Sequence, residues 1–136
     1  MTRTAKGTFQ VELRREPPYD VSDGVSLGRT AIDKIFSGDL RGTSSAQMLS
    51  ASGEVKGSAG YVAIERFVGS LDGRSGSFVL QHFGVMTRGT AELKVSVVPD
   101  TGTGELRGIA GRLNIEIKDG RHDYVFEYSF EALPPL

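Results

Sequence analysis

Apolar side chains alternate with polar ones through most of this chain: Phe9/Val11/Leu13, Leu93/Val95/Val97, Leu113/Ile115/Ile117 and Tyr124/Phe126/Tyr128/Phe130. A period of two puts successive side chains on opposite faces of a strand, whereas a helix groups its apolar residues every three to four positions. No segment of helical length shows the second spacing. Glycines at Gly53, Gly57, Gly60, Gly73, Gly76, Gly104, Gly111 and Gly120 break the runs as turns or bulges. Strands are expected at about 5–14, 29–39, 42–52, 60–71, 76–87, 91–98, 111–118 and 121–131. Eight antiparallel strands with one apolar face each lose their exposed edges most simply by closing on themselves. The expected fold is therefore all-β, an eight-stranded antiparallel closed barrel, in a single domain over residues 1–136. A barrel of that size is either filled by side chains or holds one small ligand.

Composition narrows the chemistry. The chain has no cysteine, which excludes disulfides, a thiol nucleophile and a thiolate zinc site. Sixteen Lys+Arg stand against 17 Asp+Glu with the signs interspersed, so neither nucleic acid nor an anionic membrane is an expected partner. No apolar window is long enough to span a membrane, and the N-terminus has no signal-peptide core, so the expected location is cytoplasmic. Gly102-Thr103-Gly104-Glu105-Leu106-Arg107-Gly108 lacks the G-x-G-x-x-G spacing and a following helix, and reads as a turn rather than a nucleotide site. His82 and His122 would make a metal site only by converging with a carboxylate; no metal and no cofactor are expected.

The segment from Tyr61 to His82 carries the candidate chemistry. It reads as two strands on a tight turn, and Gly73-Arg74 suits the central pair of a type II′ connection. Counting back from that turn sets Glu65 opposite His82, close enough for a carboxylate to meet an imidazole on one face. In a barrel interior such a pair can serve proton transfer or be a structural ion pair. Tyr61 shares the Glu65 face and is either a ligand contact or a packed core tyrosine; Phe78 and Gln81 are further ligand-binding candidates on the second strand. In Ala31-Ile32-Asp33-Lys34-Ile35-Phe36 one charged residue must point inward. Lys34 can snorkel outward, which favours Asp33 inside, with Ile35 as an inward ligand contact. Phe36, Phe67, Val79 and Phe83 then fall on the outer wall, where large apolar groups call for a dimer or trimer. The connection from Glu16-Pro17-Pro18-Tyr19-Asp20 to Gly28 could lid the barrel mouth or be a plain loop.

Three segments resemble an uncharacterised bacterial family of small allene-oxide-cyclase-like barrels: Ile32 to Leu40, Tyr61 to Glu65, and Thr101 to Gly111. The resemblance covers nearly the whole chain, extends more distantly to plant allene oxide cyclases, and implies a lipocalin-like barrel with a central cavity, often as a homo-oligomer. In the plant enzymes the cavity takes a fatty-acid epoxide. An acidic residue on the first strand and asparagine-held water promote its cyclisation. Alongside them Asp33 falls where a water-binding asparagine lies and Tyr61 at an inward cysteine, while about Phe9 stands in place of the first-strand acid. The expected function is a cofactor-independent isomerase or cyclase acting on a hydrophobic small molecule, with Glu65, Asp33 and His82 catalytic and Tyr61, Gln81, Ile35 and Phe78 binding. Two alternatives remain open: a non-catalytic barrel that binds an apolar metabolite, and an oligomeric structural barrel with a packed interior.

Overall fold

The computed structural model describes residues 1–132. Nine strands appear in chain order: β1 (Arg3–Arg15), β2 (Asp20–Ser22), β3 (Val25–Gly38), β4 (Leu40–Ser52), β5 (Ala59–Leu71), β6 (Arg74–Thr87), β7 (Thr90–Val97), β8 (Ile109–Lys118) and β9 (Arg121–Phe130). Around the wall the order is β1-β9-β8-β7-β6-β5-β4-β3, and β1 pairs back onto β3 to close an eight-stranded antiparallel barrel. The short β2 is the extra strand. It forms a hairpin on β3 around Asp23-Gly24, and a bidentate ion pair from Arg29 to Glu16 ties the connection to the wall. No residue from 16 to 28 borders the interior cavity, so the connection is a wall extension rather than a lid.

Closure is uneven. Most neighbours pair over seven to thirteen residues, but β7 and β8 share the single pair Ser96↔Arg112. The remainder of that seam lacks the ladder hydrogen bonds that hold the other strands together.

The β5–β6 turn differs from expectation. Asp72 and Gly73, not Gly73 and Arg74, are its central residues, with φ of 48° and 85°, and Leu71 pairs with Arg74. Positive φ at both positions is the type I′ pattern, which suits the right-handed twist of a hairpin and for which Asp-Gly is a preferred sequence. The register therefore moves by two: Glu65 stands opposite Leu80, and His82 opposite Ala63. A shift of two preserves the face of every side chain, so Glu65 and His82 still share one side of the sheet, now on a diagonal.

The inward residues fill the barrel at one end only. At the end carrying the β3–β4 and β5–β6 turns, Phe36, Phe67, Phe78, Phe126, Tyr124 and Tyr128 form a continuous aromatic core with ring centroids 5.1–5.7 Å apart between neighbours. Burying each such side chain stabilises the fold by about 2–3 kcal/mol. Leu106, on the 3-10 turn Gly104–Leu106, is buried in the same core. The Tyr124 hydroxyl donates to the Ser37 carbonyl at 2.9 Å and accepts from the Leu40 amide at 2.8 Å. Gly7 makes this possible, because a Cβ there would lie 2.5 Å from the tyrosine oxygen.

This arrangement corrects the expected outer wall. Phe36 and Phe67 are core residues, and Val79 is half-buried; only Phe83 of the expected four is exposed. On β4, β5 and β6 the exposed apolar residues include Leu49, Val62 and Phe83, paired with one another across the three strands; Ile64 follows on β5, while Ile35 on β3 and Val68 on β5 lie toward the opposite end.

Candidate functional site

In the other half of the barrel the inward residues are smaller. Ala46 stands opposite Glu65, Ala63 opposite His82, and Gly84 opposite Tyr61. A cavity of about 180 Å³ remains, walled by Phe9, Val11, Ile32, Met48, Leu93 and Ile115, with Tyr61 also on its lining. The Tyr61 ring lies where a Cβ on residue 84 would be, 2.2 Å from its nearest ring atom, so glycine at that position sets the ring's place. Burial pushes the Tyr61 phenol up from its ordinary pKa, so it is a neutral donor and acceptor here. Leu93 belongs to β7 and Ile115 and Ile117 to β8, so the cavity is bordered by the loosely paired seam.

Below these walls lies a cluster of buried charge. Glu65 is wholly buried on β5, and three strands supply hydrogen bonds to it. His82 Nε2 lies 2.6 Å and Lys34 Nζ 3.1 Å from Oε1, while the Ser44 hydroxyl donates to Oε2 at 2.5 Å. The register explains the convergence: Ser44 on β4 is directly opposite Lys34 on β3, and both Ser44 and His82 are diagonal to Glu65. Burial alone would raise the Glu65 pKa. The His82 hydrogen bond, the Lys34 charge and the Ser44 hydroxyl outweigh it and bring the value down to about 2. Glu65 is therefore a carboxylate, which only accepts, and His82 must carry its proton on Nε2. His82 Nδ1 has no protein partner among the described residues, and the ring borders the cavity.

Lys34 occupies the place expected for Asp33. It is 7 % exposed, borders the cavity and lies over the Phe9 ring with Nζ 4.7 Å from the centroid. Asp33 faces outward in an ion pair with Arg14, which holds its carboxyl below the usual range. The physical reason is Glu65: a buried carboxylate needs a cation, and Lys34 reaches it across β4, whereas a second inward carboxylate would have repelled it. Ile35, next in sequence to Lys34, is accordingly on the outer wall at 57 % exposure, and Gln81 also faces out. Phe78 does point inward, but it packs between Phe67 and Phe126 at the filled end and does not border the cavity. Of the expected site residues the structure brings Glu65 and His82 into contact and places Tyr61 with His82 on the cavity lining; it separates Asp33, Ile35, Gln81 and Phe78 from them.

The family described as "Protein of unknown function (DUF3224)" matches residues 5–128. The chain belongs to this family. Its structure is similar to the crystal structure of a DUF3224-family protein of unknown function from Shewanella oneidensis MR-1. The two are 50 % identical with a TM-score of 0.91, over 97 % of this chain and all of that one. No curated protein matches the chain.

Two contributors to this DUF3224 site went unread in the sequence, Lys34 as an inward cation and His122 as a wall residue. His122 is half-buried and borders the cavity with its ring 5.1 Å from that of Phe9. The usable signal was parity: His122 shares the Tyr124/Phe126/Tyr128 face, as Lys34 shares that of Phe36. Among the described residues no group of three His, Cys, Asp or Glu side chains could hold a metal ion, and no helix is long and apolar enough to cross a membrane.

Proposed function

We propose that the open half of the barrel binds one small, largely apolar molecule whose polar end meets Lys34 and His82. The observation that carries this reading is the cavity itself: apolar walls above two polar side chains held by Glu65, which Ser44 anchors in turn. Few and convergent polar groups in an apolar pocket are the usual composition of a small-molecule site. At about 180 Å³ the cavity is below the common range for drug-sized ligands and suits a molecule built around one ring or a short chain. A hydrophobic ligand is also what the sequence resemblance of Ile32 to Leu40, Tyr61 to Glu65 and Thr101 to Gly111 to allene-oxide-cyclase-like barrels would imply. The test is saturation-transfer NMR with cyclohexanone, a neutral probe of the right size. Binding that Ala63→Leu abolishes by filling the cavity supports the proposal. No transfer at millimolar probe, or transfer that Ala63→Leu leaves unchanged, contradicts it.

A second reading, a cofactor-independent isomerase, is favoured by the Glu65–His82 contact. A carboxylate that fixes Nε2–H leaves Nδ1 as the basic atom, able to take a proton from a carbon next to a carbonyl whose oxygen Lys34 polarises. This gives the acid/base role to His82 and makes Glu65 a positioning residue. Protein-dependent exchange of the α-protons of cyclohexanone with D2O, lost in His82→Gln while probe binding persists, supports catalysis. Binding without exchange leaves the barrel a binding protein.

The exposed Leu49, Val62 and Phe83 row is the surface on which we place a homo-oligomer contact, as dimer or trimer. Light scattering showing a monomer at high micromolar concentration would contradict it.

A further inference from the structure

The hydrogen bonds of the buried cluster are unevenly used, and this bears on the ligand's charge. Glu65 has donors on both oxygens: Lys34 and His82 on Oε1, Ser44 on Oε2. The Lys34 ammonium has three N–H groups, and one goes to Glu65. A second side of it is occupied by the Phe9 ring, which offers a face but no lone pair. No other acceptor from the described residues reaches Nζ, although the side chain is 93 % buried and borders the cavity. A buried ammonium with open donor positions costs stability unless something accepts from them. Around it the cavity offers no second carboxylate: the polar groups on its lining are Lys34, Tyr61, His82 and His122, all of them able to donate and none anionic under ordinary conditions. Glu65 lies behind Lys34 and His82 with its oxygens engaged.

We propose that the ligand is a small amphipathic monoanion, a carboxylic acid with an apolar body of about one ring, whose carboxylate sits between Lys34 Nζ and His82 Nδ1. This rests on the preceding proposal that the cavity is a binding site, and goes beyond it in naming the head group. The carboxylate accepts from the open N–H groups of Lys34, and from His82 Nδ1 when that atom is protonated. Its apolar body lies against Val11, Ile32, Met48, Leu93 and Ile115. The Lys34–Glu65 pair is neutral as a unit, so the anion is not repelled by an unscreened carboxylate.

A matched pair of probes decides the point: cyclohexanecarboxylate and cyclohexanecarboxamide, alike in shape and different in charge. Calorimetric titration of the wild-type chain should show the carboxylate bound about tenfold or more tightly than the amide, since a hydrogen bond to a charged group is the stronger kind. In Lys34→Met the preference should vanish while amide binding changes by less than about threefold; Lys34→Arg, which keeps the charge, should retain most of it. Equal binding of the two probes by wild type overturns the anion assignment and leaves the apolar pocket standing. If neither probe nor cyclohexanone binds, the pocket proposal falls, and this one with it. The wild-type ratio decides even where a variant fails to fold.

Discussion

The two halves of this barrel are built from the same eight strands and the same period-two pattern, yet one is solid and the other hollow. In the solid half the inward positions hold Phe36, Phe67, Phe78, Tyr124, Phe126 and Tyr128, and nothing ionisable but the two tyrosines. In the hollow half they hold Ala46, Ala63 and Gly84 beside Lys34, Glu65 and His82. The contrast separates two tasks. The aromatic half supplies the stability that lets the other half carry buried charge and empty space, both of which work against folding.

The largest expected difference is in the cost of truncation. Phe67→Ala should destabilise the fold by about 4 kcal/mol, the usual loss for a buried phenylalanine that leaves a cavity in a packed surround. Met48→Ala, on the wall of a space already present, should cost about 1–2 kcal/mol because fewer packing partners are lost. Urea unfolding of the two variants checks this, and equal costs would erase the distinction between the halves.

Next comes the charge cluster. With a Glu65 pKa lowered from 4.5 to about 2, the group contributes stability that is fully present above about pH 4.5 and is lost as pH falls through about 2. At about 1.4 kcal/mol for each tenfold change in the proton equilibrium, the loss is about 3 kcal/mol. Glu65→Gln should unfold more easily at neutral pH and should lack that acid dependence. Removing the partner through His82→Gln or Lys34→Met should move the titration of the Glu65 side-chain carboxyl carbon upward from about 2, because each takes away an interaction that favours the carboxylate. A Glu65 that titrates at its ordinary value in wild type would dissolve the cluster as described.

How far the sequence reaches differs between the halves for a physical reason. Alternation implied the strands and the shared face of Tyr61 and Glu65, because parity is a local property of each strand; closure followed from the need to remove exposed edges, and the face of His82 from the turn count, whose error of two preserved parity. Phe67 was equally legible, two residues after Glu65 and so on its face, and the outward assignment ignored that count. Asp72-Gly73 was likewise legible as a type I′ pair. Which of Asp33 and Lys34 points inward was not. It depends on Glu65, two strands away in the sheet, and snorkelling was argued for a lysine with no buried counter-ion. The size of the cavity was also out of reach, since it depends on which small residues come level with one another after the register is set.

Smaller effects sharpen the comparison further. Gly84→Ala should displace the Tyr61 ring and cost about 1–3 kcal/mol, as overpacking does, whereas an alanine at exposed Gly53 has only one neighbour within 4 Å and should cost far less. Amide exchange should be fastest, apart from loops and termini, along the β7–β8 seam, where Ser96↔Arg112 is the one paired position; the β5–β6 amides should be among the slowest. Uniform protection around the barrel would mean that the seam is closed in solution.

The most direct test of the division is a methyl chemical-shift map of the whole barrel during titration with cyclohexanone. The account predicts saturable shifts for Ile32, Met48 and Ile115 around the cavity, and none for Leu40, Leu71 and Leu106 in the aromatic half. Absence of saturable shifts, or shifts of similar size in both halves, would contradict it.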